Sequence, residues 1–102
     1  MMLDLINCAS AWFRENEQRL SDMGISANLV AQAVPGAKPS IGLNLDNERI
    51  RATITVWDNG PVEIIALNAS NGETAFLEES AVLSEANLNA SLESWVAMVG
   101  NY

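Results

Sequence analysis

Between Arg49 and Trp57 the chain alternates without a break. Ile50, Ala52, Ile54 and Val56 fall on one side, and Arg51, Thr53, Thr55 and Trp57 on the other. A period of two is the signature of a strand with one buried face, and winding it into a helix would scatter the apolar set around the axis. The same pattern stands on either side of this run. Upstream, Ile41, Leu43 and Leu45 alternate with Ser40, Gly42 and Asn44, and the polar Asp46-Asn47-Glu48 turn links the two runs. Downstream, Asp58-Asn59-Gly60-Pro61 turns the chain into Val62 to Asn68, and Ala69-Ser70-Asn71-Gly72 turns it into Glu73 to Glu79. Connections this short join strands that pair antiparallel. A fifth run, Ile25 to Val34, alternates through Ile25, Ala27, Leu29, Ala31 and Ala33 and is broken by the Pro35-Gly36 to Pro39 loop.

Helical spacing brackets these strands. From Leu3 to Met23 the apolar residues Ile6, Ala9, Phe13, Leu20 and Met23 recur at helical intervals, and Gly24 follows as a stop. At the other end Ser84 reads as a cap, with Glu85 in the first turn, where the positive end of the helix dipole favours a carboxylate. Leu88, Leu92, Trp95, Val96 and Val99 form the apolar stripe, and Gly100 closes it. The expected architecture is α+β: an N-terminal helix, a five-stranded antiparallel meander and a C-terminal helix, with both helices on one face of the sheet. A chain of 102 residues suits one such unit over residues 1–102.

Composition narrows the chemistry. There is no histidine, which removes the side chain best suited to proton transfer near neutrality and the commonest nitrogen ligand for zinc. The single cysteine, Cys8, falls on the apolar side of the first helix with no base in view, so it reads as a packing residue. Glu78 and Glu79 are adjacent in a strand, point to opposite faces and cannot converge as an acid and base couple. Asp46-Asn47-Glu48 lacks the spacing of a calcium loop, and the glycines do not cluster before a helix as a phosphate cradle requires. The expectation is a non-enzyme with no metal and no cofactor. Near the N-terminus no cation precedes the apolar stretch, Asp4 interrupts it, and Asn7 is a poor residue before a cleavage point, so a cytoplasmic protein is expected.

Charge points to the partner. The formal net charge is -8, and from Ala52 to Tyr102 there is no lysine, arginine or histidine to offset Asp58, Glu63, Glu73, Glu78, Glu79, Glu85 and Glu93. Such a half repels nucleic acid and anionic membranes and attracts a basic macromolecule. The sheet offers a surface for it. With Ile50, Ala52, Ile54 and Val56 turned to the helices, the other face carries Thr55 and Trp57, and the next strands add Glu63, Ile65 and Leu67, then Leu77 and Glu79. Two helices can barely coat one face of five strands, which leaves this one open unless a second copy covers it. Thr55, Trp57, Asp58, Glu63, Ile65, Leu67, Glu73, Leu77 and Glu79 are therefore the candidate partner-binding residues, with apolar anchors inside a charged rim.

The order of elements resembles a known family. An Ala11-Trp12-Phe13 helix ending in Gly24-Ile25, the Ile54-Thr55-Val56-Trp57-Asp58-Asn59-Gly60 strand and turn, the Asn71-Gly72-Glu73 hairpin and a closing helix with Leu88, Leu92 and Trp95 are similar to TriTu-type immunity proteins. Those proteins accompany ADP-ribosyltransferase toxins of type VI secretion and Rhs systems. The resemblance implies a non-enzymatic antidote in the producer's cytoplasm, whose partner is a toxin that would otherwise modify elongation factor Tu. It implies that the antidote covers the toxin's active site or its approach to its target. The alternative is a small acidic chaperone of a secreted effector, which would be expected to dimerise. A mimic of nucleic acid would space carboxylates along a ridge without anchors such as Trp57, Ile65 and Leu67.

Overall fold

The computed structural model describes residues 5–32, 40–57, 61–81 and 84–101. Helix α1 (Leu5–Asp22) leads into five strands, β1 (Ser26–Gln32), β2 (Ser40–Asp46), β3 (Ile50–Trp57), β4 (Pro61–Asn68) and β5 (Thr74–Ala81), and helix α2 (Glu85–Gly100) closes the order. The strands lie in sequence order in one sheet, each antiparallel to the next. The expected meander is thus the observed one. The Pro35-Gly36 to Pro39 loop, the end of the first run at Val34 and the turn residues Asp58 to Gly60 lie outside the described residues.

Register follows from the alternation. Leu43 is opposite Ile54, and Ile54 opposite Ile64, so the inward residues of the three central strands form continuous cross-strand rows. Ile41, Leu43, Leu45, Ile50, Ala52, Ile54, Val56, Val62, Ile64 and Ala66 are all buried there. Slipping a strand by one residue would send its whole set to the other face. Complete burial of each larger aliphatic side chain contributes about 1.5–3 kcal/mol, so the register is held by many such terms at once.

On α1 the buried residues are Leu5, Ala9, Trp12, Phe13 and Leu20. The stripe is rotated from the one expected: Ile6 is only partly buried, and Met23 is exposed. Met23 instead lays its terminal methyl beside Gly100, 2.9 Å from where a Cβ would stand. The end of α1 explains why Met23 leaves the stripe. Gly24 takes φ +78, its N–H donates to the Ser21 carbonyl at 3.0 Å, and the Ile25 N–H donates to Leu20 O at 3.0 Å. That pair of bonds is a Schellman ending, which turns the chain so that Ile25 packs back toward Leu20, and both are buried.

Helix α2 starts where expected. The Ser84 side chain accepts from the Asn87 N–H at 3.2 Å, which satisfies one of the free donors of the first turn. Leu88, Leu92, Trp95, Val96 and Val99 are buried. The helix runs through Gly100 and is capped by Asn101, one residue beyond the expected stop.

Asn47 ties this helix to the sheet. Its side-chain oxygen accepts from the N–H groups of Arg49 and Ile50, both at 2.8 Å, and its amide donates to the Val99 carbonyl at 2.9 Å. One residue thereby shapes the β2–β3 turn and satisfies a carbonyl at the end of α2. Asn47→Ala should lower the unfolding free energy by about 1–3 kcal/mol, measured as a lower urea midpoint with an unchanged slope. A change under about 0.5 kcal/mol, the usual size at an ordinary surface position, would mean that water replaces these bonds without loss.

Candidate functional site

Both helices bury their stripes on the same side of the sheet. The other face carries Asn28 and Val30 from β1, Gly42 and Asn44 from β2, Arg51, Thr53, Thr55 and Trp57 from β3, Glu63, Ile65 and Leu67 from β4, and Leu77 and Glu79 from β5. None of the described elements packs over it. Its large apolar residues stand in solvent: Val30 is 40%, Ile65 39%, Leu67 36% and Leu77 55% exposed. Scattered single exposures would need no explanation, but Ile65 and Leu77 are direct cross-strand partners and Leu67 is the next residue on the same side of β4.

The register sorts the expected residues into rows. Thr55, Glu63 and Glu79 form one row across β3, β4 and β5, and Thr53, Ile65 and Leu77 form the next. Leu67 lies a row further, opposite Arg51 and Thr74. The carboxylates therefore do not ring the apolar residues. Glu63 and Glu79 lie together on one side of them, and Glu73 sits in the β4–β5 turn at the far end of the strands. There its N–H donates to the Asn71 side-chain oxygen at 2.9 Å, and its carbonyl accepts from the Asn68 N–H at 2.8 Å. Asp58 lies outside the described residues.

At the Trp57 end the surface sinks into an open hollow of about 550 Å³, lined by Trp57, Pro61, Val62, Glu63, Glu79, Ser80 and Ala81. Pro61 is opposite Ala81 at the end of the β4–β5 ladder, and two small outer residues there leave the space that a larger pair would fill. Sequence reasoning missed Pro61, Ala81 and Val30 as surface features. The alternation in β1 could have flagged Val30, because it follows Leu29, which packs against the core.

Other carboxylates have structural partners. Glu93 accepts the Trp12 indole N–H at 3.1 Å and both contacts of the Arg19 guanidinium at 2.7 and 2.9 Å. Glu78 turns to the helix side of β5 and accepts the Trp95 indole N–H at 2.7 Å. Two buried tryptophans thus find acceptors at the margin of the core, as an indole N–H removed from water requires. Arg19 and Glu93 also form an ion pair, and at 44% and 46% exposure it adds little stability by itself.

Glu78 and Glu79 do face opposite ways, as their adjacency in a strand demands. Among the described residues no group of three or more cysteine, aspartate or glutamate side chains could hold a metal ion, and no helix is long and apolar enough to cross a membrane. Cys8 is half-buried and packs against the core.

Residues 7–98 match the family model described as Immunity protein TriTu. The chain belongs to the TriTu immunity-protein family. The matched range takes in nearly all of α1, the whole sheet and most of α2. Immunity proteins are generally non-enzymatic, and membership gives this chain a toxin-neutralising role with a cognate toxin as partner. No curated protein matches the chain.

Proposed function

We propose that this TriTu protein neutralises an ADP-ribosyltransferase toxin of a type VI secretion or Rhs system in the cytoplasm of the producing cell. It does so by seating its open sheet face on the toxin's active site or on the surface that receives elongation factor Tu. The observation that carries this reading is the contiguous exposed set Ile65, Leu67 and Leu77 beside Glu63 and Glu79, on a chain matched to an immunity family. Apolar anchors that exclude water give slow release. The uncompensated charge speeds capture, toward about 10⁸–10⁹ per molar per second at low salt. A standard interface buries about 1,600 Å² in total, which the open face and its flanking loops can supply.

The experiment is protection of growth. Bacteria that express the toxin domain encoded alongside this chain should survive when the chain is co-expressed and die without it. Death in both cases, with the chain present at normal abundance, would contradict the reading.

A further inference from the structure

Glu63 and Glu79 are direct cross-strand partners on the open face. Like charges in that position repel and weaken the sheet, and neither carboxylate has an ion-pair partner among the described residues. A local conflict of this kind in an otherwise consistent sheet marks a place shaped for something outside the chain. The adjoining position in the row, Thr55, is a second sign. It is the one buried polar residue among those described, 8% exposed. Among the described residues none hydrogen-bonds its side chain, and none has a fully enclosed side-chain oxygen without a partner. The hydroxyl therefore opens toward the face, beside Glu63. Completing the setting, Trp57 lines the hollow together with both carboxylates.

Building on the reading of this chain as a toxin antidote, we propose that the hollow receives an arginine side chain of the toxin, with Glu63 and Glu79 as its carboxylate acceptors, Trp57 as its stacking surface and Thr55, beside Glu63 at the margin of the hollow, as a further acceptor. Arginine fits where lysine does not. Its planar fork presents five donors that can serve two carboxylates and a hydroxyl at once, its flat face stacks on an indole, and it sheds water more readily than an ammonium group. The repulsion between the two carboxylates, which costs stability in the free protein, becomes attraction to one cation in the complex.

Isothermal titration of the full chain with the purified toxin domain tests this. In E63Q/E79Q the shape is kept and the charge removed, so the dissociation constant should rise about 30-fold or more. The melting temperature should stay level or rise, because the repulsion is gone. Against single arginine-to-alanine variants of the toxin, one arginine should show strong coupling to the pair: its loss weakens binding to the wild-type chain and barely affects binding to E63Q/E79Q. Equal affinity of wild type and E63Q/E79Q would overturn the proposal while leaving the antidote reading in place, and so would coupling to a lysine instead. Absence of binding by the wild-type chain would remove both together.

Discussion

Trp95→Ala should destabilise the protein by about 3–5 kcal/mol, enough to unfold a large share of molecules in a domain of ordinary stability. The side chain lies in the stripe of α2 beside Leu92, Val96 and Val99 and is 3% exposed. Removing it leaves a cavity between α2 and the sheet, and it strips Glu78 of the donor that holds its carboxylate on the helix side of β5 at 2.7 Å. Trp95→Phe separates the two losses. Most of the apolar volume remains and only the indole N–H goes, so its cost should be about 1.5–3 kcal/mol, the range for a hydrogen bond to a charged group. Denaturant unfolding of both variants measures the difference. Equal costs for the two substitutions would mean that the hydrogen bond, and not the packing, anchors this side of α2.

The second large effect concerns binding. Leu77→Asp should raise the dissociation constant for the toxin by about two to three orders of magnitude, the equivalent of 3–5 kcal/mol for a charge buried without a partner. The fold should be nearly unaffected, because Leu77 is 55% exposed on the edge strand and supports no core residue. The direction of this result discriminates between two kinds of recognition. One more negative charge increases long-range attraction to a basic partner, so the association rate should hold or rise while dissociation accelerates. Tighter binding by the variant would show that the face works through charge alone and that Ile65, Leu67 and Leu77 stay wet in the complex. Stopped-flow association and dissociation rates, taken separately, measure both halves.

These two substitutions also mark what could be read from the residues alone. Exposure of Leu77 was legible, since Phe76 precedes it and only one of two adjacent strand residues can turn inward. The partnership of Trp95 with Glu78 was not: the spacing that makes Trp95 apolar stripe says nothing about which carboxylate lies under its N–H. The rotated stripe of α1 has a similar origin. Trp12 can be buried because Glu93, far away in sequence, receives its N–H, and that acceptor exists only once α1 and α2 are side by side.

Strands β2 and β3 were located almost to the residue because both alternate strictly. For β5 the expected run ended at Glu79, where the apolar pattern gives out, and the strand in fact continues to Ala81. A shift of register between Ala66 and Leu67 sets Leu67 opposite Thr74 and Ala66 opposite Phe76. It inserts one residue that no periodicity announces. The nine candidate residues were chosen from strand parity, which identifies the face of each one in a strand. Parity cannot supply the neighbours across strands. For that reason the expected charged rim appears in the fold as a Glu63–Glu79 pair, with Glu73 at the opposite end. Acidity was misleading in a further respect, because Glu78 and Glu93 serve tryptophans and an arginine within the chain and not the outer surface.

A chain that neutralises its toxin as proposed prevents the modification of elongation factor Tu. The most direct measurement is transfer of labelled ADP-ribose to purified elongation factor Tu by the toxin domain, with the chain added at an equal molar amount. Transfer should be abolished, and Leu77→Asp, at the same concentration and folded, should restore it. A stable complex with undiminished transfer, or no complex at all, would contradict the proposed neutralisation.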